Sequence, residues 1–318
     1  MERISKRAKS ISSSIISSAS KLSFPTKVAG GLFGAYLSYK FLVLCFRSPK
    51  SLKVQIVFIT GAANGLGRQM ALKLSAEGAK IAVADIDIVK AHEVADLINS
   101  LKGEAIAVEC DVTSIESVRK AASIVRTHLG SPNILINNAG IVSGKLITEI
   151  PIESIERTMK VNAISHFYTI KEFLPDMIKA NQGHIVTIAS MAGLNGSPQM
   201  TDYCASKYAA VGLDESLRRE LKFIGSNVKT TCICPFFIDT GMFAGVRSRF
   251  SFLLPVLKEE KVAKRIIDGV RFNEEVVVIP KLGEISFFFR AAFSVKNCDR
   301  ISALLGGNHF MQKFTGRN

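Results

Sequence analysis

The chain has 318 residues, 47% of them hydrophobic, enough for one large α/β domain with an appendage. Its formal net charge is +14, but residues 1–53 hold ten Lys/Arg against the single acid Glu2, residues 281–318 hold six against two, and residues 54–280 hold 25 against 24. Charge concentrated at two apolar ends suits an anionic membrane surface and sets nucleic acid aside as a partner.

Residues 1–27 read as a basic, Ser-rich segment. Ile4, Ala8, Ile11, Ile15, Ala19 and Leu22 recur at helical steps among Arg3, Lys6, Arg7 and Lys9, the pattern of a basic amphipathic helix on lipid. The serines at 12–14 and 17–18 fit a disordered basic tail equally well. Residues 28–46 follow with Lys40 as their one charge. As a helix this run reaches roughly 28 Å, so it reads as a hydrophobic membrane anchor. Whether it spans the bilayer or, loosened at Gly30, Gly31 and Gly34, dips in and returns stays open. The run ends in Cys-Phe-Arg-Ser-Pro with no small-residue cleavage site, which disfavours a signal peptide. A mitochondrial presequence is an open alternative for residues 3–27, and residues 47–53 read as a polar linker.

Residues 54–280 alternate. Apolar, strand-like runs at 54–60, 80–84, 105–109 and 134–137 are separated by helical spacing at 66–77, 89–101 and 115–129, and further strands are expected at 184–189, 228–234 and 276–279. The alternation predicts a single α/β domain, a Rossmann-type doubly wound parallel sheet with helices on both faces and no internal repeat. Residues 281–318 form a basic, apolar C-terminal extension.

The first predicted strand runs into Thr60-Gly61-Ala62-Ala63-Asn64-Gly65-Leu66-Gly67. A glycine-rich turn between a buried strand and a helix lets backbone approach a pyrophosphate, which the helix N-terminus then faces. Asp85 ends the next strand, where a carboxylate accepts from both ribose hydroxyls and repels a 2′-phosphate; NAD is therefore favoured over NADP. The competing reading is that Asp85 caps the following helix. None of the six cysteines makes a metal spacing, and no metal is expected. They read as buried and reduced, which fits the cytosolic side of a membrane. Cys232 and Cys234, on a strand-like run, are expected to point to opposite faces.

These blocks resemble the short-chain dehydrogenase/reductase family over about residues 54–280. Cys110-Asp111-Val112 resembles the segment whose aspartate contacts adenine, and Asn137-Asn138-Ala139-Gly140 resembles the block closing the fourth strand over the cofactor. Tyr203-Cys204-Ala205-Ser206-Lys207 resembles the YxxxK motif, with Ser190 13 residues before it. The segment from Pro235 through Ile238 to Thr240 resembles the one that holds the nicotinamide carboxamide. Asn162 matches the asparagine that holds a water against the lysine. The resemblance implies that Tyr203 acts as base, Ser190 bonds the substrate oxygen and Lys207 binds the nicotinamide ribose. A nearby ammonium and a positive nicotinamide are expected to lower the tyrosine pKa from about 10. His166 and His184 lack a partner pattern and read as structural; Glu215, Arg218, Arg219 and Glu220 read as a solvated helix face.

The loop after Thr240 carries Phe243, Val246, Phe250, Phe252, Leu253, Leu254, Val256 and Leu257, and the C-terminus adds the 287–289 phenylalanines with Phe293, Leu304, Leu305, Phe310 and Phe314. Such residues either cover an apolar pocket, dock on a bilayer, or pack terminal helices. The layout resembles the membrane- and lipid-droplet-associated retinol and 17β-hydroxysteroid dehydrogenases. This resemblance implies a lipophilic alcohol as substrate, a homodimer, and an endoplasmic reticulum membrane or lipid-droplet surface with the catalytic domain in the cytosol. Two alternatives are carried: a lipid-ketone reductase of sphingolipid or ether-lipid synthesis, and a lipid-droplet surface protein with little catalytic role.

Overall fold

The computed structural model of the protein describes residues 47–249, 251–252 and 254–316. The expected basic segment 1–27 and anchor 28–46 lie outside them, as do Phe250 and Leu253. The chain divides into two compact units, Met1–Pro49 and Lys50–Asn318, and the fold below belongs to the second.

Strands and helices alternate in chain order: β1 (Ile56–Thr60), α1 (Gly65–Ala76), β2 (Lys80–Asp85), α2 (Ile88–Ser100), β3 (Glu104–Glu109), α3 (Ile115–His128) and β4 (Ile134–Asn137). Then come α4 (Ile152–Met159), α5 (Ser165–Lys179), β5 (His184–Ile188), α6 (Thr201–Phe223), β6 (Lys229–Pro235), α7 (Glu259–Arg271) and β7 (Val276–Ile279). The short helices α8 (Ile285–Ala292) and α9 (Val295–Leu304) follow the last strand. All seven strands are parallel, in the order β3-β2-β1-β4-β5-β6-β7. The order reverses between β1 and β4, so the crevice beyond their C-terminal ends is where such a sheet takes a ligand.

Burial on both faces explains the strand sequences. In β1, Val57 and Ile59 enter the core shared with Met70, Leu74 and Ile266, while Phe58 enters the opposite core with Val125, Leu135 and Phe173. The continuous apolar run is thus two interleaved stripes of period two. The same period corrects the expectation for Cys232 and Cys234. Residues i and i+2 of a strand share a face; the two thiols lie 3.9 Å apart among Ala189, Leu194 and Ala210, and Ile233 takes the other side.

Helices α4 and α5 are joined by a π-turn over Lys160–Ile164, in which the Ser165 N–H reaches back to Lys160 O. The wider turn rotates Asn162 inward to full burial. No helix among the described residues is long and apolar enough to cross a membrane.

Candidate functional site

The glycine turn is built for close approach. Gly61 has φ +63°, and a Cβ on Gly67 would lie 2.1 Å from Gly61 O and 2.7 Å from Asn138 Nδ2; only a hydrogen lets α1 start against the turn. Asn64 precedes α1 without a side-chain cap bond, and the first turn holds no acid. The free N–H groups and positive dipole end of α1 therefore remain available to an anion.

Asn138 fixes this turn from below, its Nδ2 donating to Thr60 O (2.9 Å) and Gly61 O (3.0 Å). Thr60 completes the clamp: its Oγ1 accepts from the N–H groups of Asn138 (2.9 Å) and Ala139 (3.1 Å). The sequence places Thr60 where the strand runs into the glycine turn, without a role for its hydroxyl. Its role depends on a partner 78 residues away, and no local pattern signals that.

At the other end of the crevice, Asp85 Oδ2 accepts from Ala63 N–H (2.9 Å) and Oδ1 from Asp87 N–H (3.1 Å). The cap of α2 is Asp87, which accepts from Lys90 N–H at 3.1 Å, so the capping reading of Asp85 does not hold. Each Asp85 oxygen keeps a lone pair for a further donor. Asp111 Oδ1 is held by Thr113 N–H (2.9 Å) and Oγ1–H (2.8 Å). Burial, then Asp111 and Asp85, push the Cys110 thiol up to about 12, so it stays protonated.

Tyr203 and Lys207 come together on α6, where positions i and i+4 share a face. Lys207 Nζ donates to Ile188 O (2.7 Å) and lies 5.7 Å from the Tyr203 ring centroid. A Cβ on Gly140 would stand 3.4 Å from Asn162 Oδ1 and 3.7 Å from Lys207 Nζ, so both groups close on this glycine. Asn162 is spent on structure: its Oδ1 accepts from Ile141 N–H (2.8 Å), and Nδ2 donates to Ile141 O (2.8 Å) and Ser206 Oγ (3.0 Å). Ser190 Oγ accepts from Ala192 N–H (3.1 Å) and donates to Pro235 O (3.4 Å).

Burial pushes the Tyr203 phenol above its ordinary value, against the Ser190 hydrogen bond that acts the other way. This differs from the expected lowering by the lysine. The ammonium faces the ring and Ile188 O rather than the phenol oxygen, and burial brings its own pKa down to about 8. Within the chain, desolvation outweighs attraction, and a phenolate here needs additional positive charge beside it.

One cleft of about 910 Å³ gathers these residues. Gly61, Asn64, Gly65, Leu66, Gly67, Asp85, Asp111, Val112, Asn138, Ala139 and Gly140 line it, together with Ser190, Tyr203, Lys207, Pro235, Ile238 and Thr240. Asn162 alone of the expected set stands behind the wall. Its apolar lining includes Met200, Phe236, Phe237, Phe243, Leu254 and Phe310, which pack in one cluster with Tyr203. Phe243 packs edge-on against both Tyr203 and Phe237, at 5.7 and 5.1 Å between centroids. The apolar residues after Thr240 therefore divide: Phe243, Leu254, Phe289, Leu305 and Phe310 line the cleft, while Phe252, Phe288 and Leu304 face outward, 79%, 64% and 72% exposed.

The family described as short chain dehydrogenase matches residues 55–250. Short-chain dehydrogenase/reductase family 16C member 6 of Bos taurus is 37% identical over 273 residues, covering 85% of this chain and 86% of that protein. Epidermal retinol dehydrogenase 2 of Mus musculus is 38% identical (84% and 87% covered), and retinol dehydrogenase 10 of Homo sapiens is 36% identical (83% and 86%). Among solved structures, a short chain dehydrogenase/reductase from Burkholderia phymatum in complex with NAD superposes with a TM-score of 0.69 at 25% identity, covering 79% of this chain and 96% of that one.

Proposed function

The chain belongs to the short-chain dehydrogenase family, and on that premise we propose that it oxidises a lipophilic alcohol, retinol above all, with NAD. Membership makes it a dehydrogenase or reductase acting on CH–OH groups with a nicotinamide cofactor. The finer reading is carried by one observation: the apolar residues lining the cleft pack in one cluster with Tyr203. A long unsaturated chain suits that apolar lining with its hydroxyl at the phenol. The names of the relatives support retinol over a 17β-hydroxysteroid, and none of those names points to a lipid-ketone reductase or a surface protein.

In this reading the glycine turn and the α1 N-terminus hold the pyrophosphate, with the turn stapled by Asn138. Asp85 accepts from the ribose hydroxyls, Asp111 and Val112 flank the adenine, and Ala139 and Gly140 floor the cleft. Pro235, Ile238 and Thr240 hold the carboxamide. When bound, the cofactor supplies the hydride acceptor and a positive ring beside the tyrosine. Tyr203 takes the hydroxyl proton, Ser190 holds the substrate oxygen, and Lys207 binds the nicotinamide ribose and favours the phenolate. Asn162 keeps the loop after β4 and the start of α6 in register through Ile141 and Ser206.

The domain limits expected from sequence, 54–280 with a C-terminal extension, belong to this reading. So does attachment to an endoplasmic reticulum or lipid-droplet surface, supported by the basic apolar ends and the outward Phe252, Phe288 and Leu304. NAD preference is tested by Asp85→Ser. Loss of charge-assisted hydrogen bonds is expected to weaken NADH binding about tenfold or more while NADPH binding improves. An unchanged preference in the variant would refute the role of Asp85.

A further inference from the structure

Alcohol oxidation leaves a proton as well as a hydride: for each turnover one proton stays on the Tyr203–Lys207 pair and must leave before the next. The buried polar groups behind the cleft suggest where it goes. Eleven buried side-chain polar atoms lack a hydrogen-bond partner among the described residues, and six of them belong to Asn137, His166, Thr187, Asp214 and Arg218. Orphaned atoms are rare in folded proteins and are ordinarily met by internal water.

These five side chains share one layer. Asn137 and Thr187 are register partners on β4 and β5, on the face that also carries Leu135 and Ile185. That face packs against α5 and α6. On α6, Lys207, Asp214 and Arg218 follow at helical spacing along one side. On α5, His166 stands one turn after Asn162, and Thr169 bonds Asn137 Oδ1 at 2.7 Å. On β6, Cys232 is the register partner of Thr187, and Thr230, two residues earlier on the same face, donates to Asp214. These groups therefore lie along one face of the sheet and of α6, from the active-site lysine to Arg218. Arg218 is half-buried, turned inward where sequence reasoning had put it on a solvated face.

We propose that this layer is a hydrated seam that carries protons between Lys207 and the surface at Arg218, with His166 and Asp214 as its relay groups. His166 is 2% exposed, yet neither ring nitrogen has a partner among the described residues. Burial, and next the Lys207 ammonium, push its pKa down to about 3. A neutral imidazole offers one donor and one acceptor, so it passes a proton without holding one. Asp214, also 2% exposed, accepts from Thr230 Oγ1 at 3.3 Å and leaves Oδ1 open; Thr187 Oγ1 approaches the carboxylate without completing a well-formed bond. Burial brings the Asp214 carboxyl up to about 6, against Thr187, Thr230 and Arg218, close enough to neutrality to take and return a proton. The other titratable groups facing the seam are Lys207 on α6 and Cys232 and Cys234 on β6. The step involves proton movement only: the proton from the substrate hydroxyl passes through Tyr203 and Lys207 to bulk water.

The inference rests on the dehydrogenase reading, so its test has an arm that needs no turnover. A high-resolution crystal structure of the purified full-length protein should show ordered waters on Asp214 Oδ1 and on the His166 ring nitrogens; a dry seam overturns the proposal. In the kinetic arm, His166→Gln and Asp214→Asn should lower kcat for retinol oxidation by about tenfold, below the loss for a group in contact with substrate, with KM unchanged. The solvent deuterium isotope effect on kcat should rise in both. The part of the acid fall of kcat that titrates near pH 6 should disappear in Asp214→Asn while the part set by the Tyr203–Lys207 pair remains, a change that a structural role alone would not produce. Unchanged kcat and isotope effect in both folded variants overturn the proposal. If the unmodified protein fails to oxidise retinol, the substrate reading fails and the crystallographic arm decides the seam.

Discussion

The buried carboxyl of Asp214 makes a stability prediction with a definite sign. Its pKa rises from 3.8 to about 6, first through burial, with Thr187, Thr230 and Arg218 opposing. The folded chain thus holds this proton over a range where the unfolded chain has released it. Stability falls as pH rises from about 4 to about 6 and stays reduced above that window. The displacement corresponds to about 3 kcal/mol. Asp214→Asn removes the penalty but weakens the long bond to Thr230, which costs about 1 kcal/mol. The variant should therefore be more stable by about 2 kcal/mol at pH 7.5, raising Tm by roughly 4–8 °C. At pH 4 the gain should vanish or turn into a small loss. Urea unfolding of the full-length protein in mild detergent, at pH 7.5 and pH 4, measures both. A variant no more stable at pH 7.5, or a gain equal at both pH values, would refute the reasoning.

Three further outcomes follow from the site. Gly67→Ala should weaken NADH binding by roughly tenfold to a hundredfold in a fluorescence titration, because its methyl cannot fit 2.1 Å from Gly61 O without moving the turn. Thr60→Val keeps the shape but removes the acceptor for the Asn138 and Ala139 N–H groups; denaturation should show a loss of roughly 2 kcal/mol. Phe243→Ala should raise KM for a long apolar alcohol about tenfold and leave NADH affinity unchanged, since the ring touches Tyr203 and Phe237.

The sheet was legible because its inner strands are buried on both faces and the helices packed on it are buried on one, so the period of the apolar residues changes between them. The expected runs at 80–84, 115–129 and 276–279 meet β2, α3 and β7 within a residue at each end. The cleft was legible for a different reason: glycines, Asp85 and the Tyr203–Lys207 spacing are local patterns, and the fold brings all but Asn162 to one surface. Long-range partners were not legible. Thr60 is ordinary until Asn138 arrives beneath it, and His166 and Arg218 look like isolated helix residues until α5 and α6 press them against the sheet. The electrostatic error at Tyr203 has the same origin. Spacing puts a lysine one turn away, but only the packed structure shows how much burial opposes the phenolate and that the ammonium bonds Ile188 O. His184, by contrast, is structural as expected, bonded through Nδ1 to Lys50 Nζ (2.5 Å) and through Nε2 to Thr231 Oγ1 (2.7 Å).

The central claim is that this cleft oxidises a lipophilic alcohol with NAD through Tyr203. Membranes carrying the full-length protein, supplied with all-trans-retinol or 17β-estradiol and with NAD or NADP, test it against Tyr203→Phe. The account predicts retinal formed with NAD, slower or absent turnover with NADP and with the steroid, and a loss of at least about a hundredfold in the variant with NADH binding kept. Retinal formed at an equal rate by Tyr203→Phe would contradict it.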